Sequence, residues 1–531
     1  VDAGVEDAGG PPPPLDAGPV DSGSLLSFEV EALRFELALP TLRAGSTLTL
    51  RSPSAEAGCV EVAAPVIDSA HWGDGGAAPF THAGARLTVC DAPPATLRTL
   101  TTSGVPAAGL EAGTDQGFVV RTGEVGRFTS AIAWVKGCSR LVACDPAPRI
   151  RMPLEFDVTH AVDEQVLCPG KVSAGPTRTT CTLTEPAPLY SGLSVVAATR
   201  WVPRVLASTD AGVVTLMDAP TSRLEPALAP ADVAATLEWF TRTLGPLPYG
   251  RELTVAAGPL VWLGFEGPGL ILLHESLPDF MLPWPAGTHH AFAHEVAHQW
   301  AGNRTTLRES AEFSIKEALA EYLVYRLESE LWPSRALATR RFWRRSARFG
   351  VVYPRPTDLL EPPMVVMAGD GTVTGPMMLL QLEAVLGEAV VFEAVRDVLR
   401  VPGVMGWLEL RMALEARSGR SLAAYFDAWV FGAGEPVWPE LGARAVIGAD
   451  GGQALEVFRQ GRAVPLVIDV DVTSASGTRR FTATLGTESA TQLPLDEVPQ
   501  SSVLDPDLRW LWFPAQVSPL LPETPPPRFV F

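Results

Sequence analysis

Five consecutive residues, His294-Glu295-Val296-Ala297-His298, constrain this chain more than any other stretch. Positions i and i+4 of an α-helix lie one turn apart on the same face, so both imidazoles reach one ion if the segment is helical. The surrounding pattern predicts a helix over 290–300 and a second over 310–332. The second carries Glu317, nineteen residues after His298, on a stripe otherwise made of Phe313, Ala320 and Val324. A carboxylate on an apolar stripe is costly to bury unless it is paired or binds a metal. His294, His298 and Glu317 therefore form a candidate His₂Glu site for one Zn2+ per chain, with water in the fourth position. Glu295 is not a ligand in this reading and serves as the general base. The alternative is two ordinary helix histidines with a surface glutamate between them, and other divalent ions suit the same donors.

The rest of the chain divides by its periodicity. Residues 1–24 repeat Asp-Ala-Gly three times around a run of four prolines, a composition expected of a disordered acidic linker. From Phe28 to Trp201 apolar and polar residues alternate, clearest at Ile150, Met152, Leu154, Phe156 and Val158, which predicts an antiparallel β domain. From Pro230 the period becomes helical, with further helices expected over 335–348, 376–400 and 421–431. Alternation returns after Pro439, at Leu466, Ile468, Val470 and Val472. At about 150 residues per domain, 531 residues suggest three to four domains. The expected division is a linker over 1–24, a β domain over 25–203, a catalytic domain over 204–438 and a small β domain over 439–531.

Charge and cysteines narrow the function classes. Lys and Arg total 41 against 60 Asp and Glu, a net charge of −19 that opposes a phosphate backbone and argues against a nucleic-acid partner. The longest apolar stretch, Pro259–Leu273, is broken by Glu266, Gly267, Pro268 and Gly269, so no transmembrane span is expected. All six cysteines lie in the first 181 residues. Neighbour pairing (59 with 90, 138 with 144, 168 with 181) would close three modest loops, and disulfides made in an oxidising compartment are favoured over buried thiols. An exported protein is expected: periplasmic, secreted or held at the cell surface, with any leader or lipid-anchor signal already removed ahead of Val1.

The motif set resembles the gluzincin metallopeptidases of the aminopeptidase N type, in which H-E-x-x-H is followed after eighteen residues by a glutamate. His294, Glu295, His298 and Glu317 match that pattern. Those proteins also carry Gly-x-Met-Glu-Asn upstream, and Gly264-Phe265-Glu266-Gly267 resembles a degenerate form of it. The resemblance implies that Gly264 and Glu266 bind substrate, the Glu266 carboxylate holding the α-ammonium of a peptide or protein with a free N-terminus. It further implies a multidomain α+β chain: an N-terminal β-saddle domain, a thermolysin-like catalytic domain with a helical extension, and a small C-terminal β-sandwich. Two positions depart from the pattern. Thr372 stands where a catalytic tyrosine is usual, with Tyr353 as the only stand-in, and Lys316 stands where Asn is usual. A zinc-binding pseudopeptidase that recognises peptides is thus an alternative to an aminopeptidase, and an endopeptidase is another.

Overall fold

Alternating burial begins with the first long strands. In Glu29–Ala38 and Arg151–Thr159 the side chains of Leu33, Phe35, Met152, Leu154, Phe156 and Val158 are buried while Glu155 is exposed. These two strands pair in parallel inside a seven-stranded sheet whose other pairs are antiparallel, a local exception to the expected antiparallel domain. The computed structural model describes residues 24–73, 75–107, 116–134, 137–347, 370–431, 438–448, 451–461 and 463–515. The acidic linker, apart from Ser24, falls outside these residues, as does Tyr353.

Disulfides join Cys59 to Cys90, Cys138 to Cys144 and Cys168 to Cys181, the neighbour pairing expected from spacing. A four-stranded sheet links this region to the helical one. Along its strand Gly126–Ile132, Phe128 and Ile132 enter one hydrophobic core, whereas Ala131 enters the other. Strand Ser194–Ala198 divides likewise, with Val196 and Ala198 on one side and Val195 and Ala197 on the other. A period of two with both faces buried lets one sheet serve two cores.

Next follows a mixed five-stranded sheet in the order Val202–Thr209, Gly212–Asp218, Glu252–Gly258, Leu270–His274, Gly264–Gly267. Gly264–Gly267 is the edge strand at one end, antiparallel to Leu270–His274. The stretch Pro259–Leu273 is thus sheet and turn, and among the described residues no helix is long and apolar enough to cross a membrane. Helices Gly287–Ala297, Phe313–Leu331 and Pro333–Ser346 follow. The helix expected over 376–400 is two, Gly375–Leu386 and Glu388–Leu399. Gly387 separates them at φ +91°, a backbone conformation that glycine adopts without a Cβ clash. The chain closes with a four-stranded and a three-stranded sheet, the second built on Leu466–Ser474 with Leu466, Ile468, Val470 and Val472 buried. Side chains of these sheets share the hydrophobic core of the helical region. The protein is a multidomain α+β chain.

Candidate metal centre

The pentad lies where helix Gly287–Ala297 runs out. His294 is on its last turn and His298 is the residue just past it, its N–H still donating to the His294 carbonyl at 3.3 Å. From the neighbouring helix Phe313–Leu331, Glu317 reaches the same point. His294 Nε2 lies 3.0 Å from His298 Nε2 and 3.0 Å from Glu317 Oε2, and His298 Nε2 lies 3.5 Å from that oxygen. One ligand atom from each of the three residues falls within 4.8 Å of the others.

The donor set itself tests whether a cation fits. His298 Nδ1 is 2.8 Å from the Ala301 carbonyl, which can only accept, so the ring proton sits on Nδ1 and Nε2 carries a lone pair. His294 Nδ1 faces Glu321 Oε1 at 2.9 Å, which orients that ring in the same sense. Two imidazole lone pairs and a carboxylate oxygen then converge on one spot, an arrangement that repels itself unless a positive charge sits between them. Without an ion, a proton on His294 answers the same need. Burial works against a charged His294, yet Glu317 and Glu321 raise its pKa well above the ordinary value. Burial would raise Glu317, but Lys316, His298 and His294 hold it well below the usual carboxylate range. The residues therefore fit a divalent cation held by His294, His298 and Glu317.

The Glu295 carboxylate lies against the edge strand. A Cβ on Gly264 would lie 2.4 Å from Glu295 Oε1, so only glycine at 264 leaves room for that carboxylate. Burial raises the pKa of Glu295. The edge strand is tied to the pentad helix by the residues that follow the pentad. Gln299 donates to the Gly267 carbonyl at 3.1 Å and accepts from the Gly269 N–H at 2.9 Å, and Asn303 donates to the Glu266 carbonyl at 2.6 Å. Glu266, Glu295, His294, His298, Glu317 and Gly264 all border one cavity, together with Thr372. All six expected site residues are thus brought together.

A peptidase family M1 domain model matches residues 286–351, a span that holds the pentad, Glu317 and Glu321. The structure is similar to that of Legionella pneumophila aminopeptidase A in complex with aspartic acid, at a TM-score of 0.74 and 15% sequence identity. The match covers 93% of this chain and 60% of that one, so the present chain spans well under the full length of its structural relative. No curated protein matches it in sequence. The stretch that carries the pentad, Glu317 and Glu321 is thus similar to an M1 peptidase domain.

The site also holds His290, which its i−4 spacing from His294 allows to touch the site, and groups outside the expected set. His290, one turn before His294, is buried between two carboxylates, with Nε2 3.3 Å from Glu321 Oε2 and Nδ1 3.0 Å from Glu328 Oε1. Trp284 stacks on its ring at 4.5 Å. Burial opposes a charge on His290, but the two carboxylates carry its pKa up to about 9. Glu321, pushed up by burial and down by His290 and His294, is held at about 2. A row Glu328–His290–Glu321–His294 thus backs the candidate metal point. Its signal was the i, i+4 step from Glu317 to Glu321, which reads equally well as surface charge. Trp134, from the N-terminal β region, also borders the cavity, against Trp262 at 4.6 Å and Phe313 at 5.3 Å. Its φ of +27° is rare for a non-glycine residue. The departure at Lys316 has a structural counterpart: the side chain is fully buried, with Nζ 2.8 Å from Glu266 Oε1 and 2.6 Å from Glu317 Oε1.

Proposed function

We propose that this chain is a zinc-dependent metallopeptidase that hydrolyses the bond at the amino-terminal end of peptides or proteins. The observation that carries the reading is the convergence of His294 Nε2, His298 Nε2 and Glu317 Oε2 on one point, with the outer ring nitrogens turned to acceptors. One zinc per chain would be held by these three residues, a donor set with an open fourth position. When bound, zinc would supply Lewis-acid polarisation of the scissile carbonyl and bring the pKa of water to about 7. The chain's own residues do the rest. Glu295 takes the proton of the attacking water and passes it to the leaving amine, and burial of its carboxylate strengthens it as a base. Glu321 orients His294, and the Ala301 carbonyl orients His298. Gly264 gives Glu295 its space, and Glu266 borders the cavity beside the amino end of the substrate.

The M1 match and the fold shared with an aminopeptidase support peptide substrates. We also propose the division into linker (1–24), saddle-like β domain (25–203), thermolysin-like catalytic domain with helical extension (204–438) and C-terminal β-sandwich (439–531). Export to a periplasmic, cell-surface or extracellular location is supported by three disulfides, which persist in oxidising surroundings.

One observation favours a weaker catalyst that chiefly binds peptides. Thr372 borders the cavity where M1-type chains carry a tyrosine, and losing one oxyanion donor costs about 10²–10³ in rate. Turnover of aminoacyl reporter substrates by zinc-loaded protein decides between the two. Glu295→Gln should lower kcat by about 10²–10⁴ while zinc stays bound. An unchanged rate would remove Glu295 as the base, and no turnover by loaded wild type would leave the peptide-binding reading.

A further inference from the structure

We infer that Lys316 occupies the amine-binding role of Glu266 from within, so that the site accepts substrates lacking a free α-ammonium as readily as those that carry one. The inference rests on the metallopeptidase reading and on Glu266 as the carboxylate nearest the substrate's amino end.

The observations are geometric. Lys316 has no exposed surface, and its Nζ bridges one oxygen of Glu266 at 2.8 Å and one of Glu317 at 2.6 Å. The side chain is hemmed in on two further sides. Gly302 lies against its stem at φ +129°, where a Cβ would sit 3.0 Å from Lys316 Cε. The Phe313 ring lies 4.7 Å from Nζ and adds a cation–π contact. The ammonium is therefore part of the packed interior, not a surface lysine that swings aside when substrate arrives.

A carboxylate selects a free amine because its negative charge would otherwise be buried without a partner. Here Glu266 already has one. An incoming α-ammonium would approach a carboxylate that already has a cationic partner and meet the like charge of Lys316 a few ångströms away, in surroundings that screen poorly. An acylated amino end meets no such repulsion. Free and blocked amino ends should therefore be handled alike.

The test uses zinc-loaded full chain and two probes, leucine hydroxamate and N-acetyl-leucine hydroxamate, with dissociation constants measured by calorimetry. Wild type is expected to bind the two within about tenfold of each other. Binding of the free-amine probe more than about a hundredfold tighter would overturn the inference. Glu266→Gln should leave the ratio of the two constants unchanged, and selective loss of the free-amine probe would contradict the pairing. Lys316→Asn, checked for fold and zinc content, should shift the ratio towards the free amine by about tenfold or more. A loaded variant with no shift counts against the idea. If Lys316→Asn fails to fold, the wild-type and Glu266→Gln ratios decide. The companion pair, leucine p-nitroanilide and its N-acetyl form, separates the two levels. No hydrolysis of either by loaded protein would refute the peptidase reading, while the hydroxamate ratio still reports on Lys316.

Discussion

The N-terminal sheets and the helical region are stabilised in opposite ways. The sheets bury alternating apolar faces, keep most of their ion pairs at the surface and are closed by three disulfides. The helical region contains no cysteine, yet between residues 266 and 328 it buries Glu266, His290, Glu295, His298, Lys316, Glu317, Glu321 and Glu328. Buried charges are a weak means of stabilising a fold, because desolvation offsets their attraction. Their concentration at one place marks a site where chemistry is served at the expense of stability.

The largest test of that contrast is pH. Below about 6.5 His290 is charged in both folded and unfolded chains, and its two carboxylates stabilise the fold. As pH rises from 6.5 through about 9, only the folded state keeps the proton, and the contribution is lost. Its full size is on the order of 3 kcal/mol. Denaturant midpoints of wild type and His290→Gln should therefore converge between pH 6.5 and 9, and a constant gap across that range would contradict the charged state assigned to His290. Removing the Cys168–Cys181 bridge as a double serine variant should cost roughly 2–3 kcal/mol while zinc affinity stays the same. A fall in zinc affinity would mean that the two regions are coupled. Glu321→Gln should do the reverse, lowering zinc affinity about 10–100-fold in competition with a chelator. Undiminished affinity would detach Glu321 from His294. The smallest effect belongs to the exposed pair of Arg480 with Asp471 and Asp507, where Arg480→Ala should cost less than about 1 kcal/mol of stability.

Much of the site was legible because helical spacing is rigid. Two histidines at i and i+4 and one acid on an apolar stripe leave few arrangements, and His294, His298 and Glu317 meet as that spacing requires. Gly264 and Glu266 were reachable through their resemblance to a known motif, and the edge strand brings both to the cavity. Glu321 and Glu328 were not legible, since charged residues four and eleven positions after Glu317 look like solvated helix positions until His290 is seen between them. Trp134 lies just past a strand more than a hundred residues upstream, and no local pattern records such a contact. The partner of Lys316 was hidden for the same reason, because Glu266 lies on a strand fifty residues earlier. In the fold, alternation gave strand positions well, whereas strand order and the parallel pairing of Glu29–Ala38 with Arg151–Thr159 depend on contacts between distant segments. The helix break at Gly387 turned on one glycine inside an otherwise continuous apolar period.

The most direct measurement is the zinc content of purified, zinc-loaded chain by elemental analysis, set beside the His298→Ala and Glu317→Ala variants. One zinc per wild-type chain, and less than about a tenth of that in either folded variant, is the predicted result. A wild type that holds no stoichiometric zinc, or variants that hold as much as wild type, would contradict the His294–His298–Glu317 site.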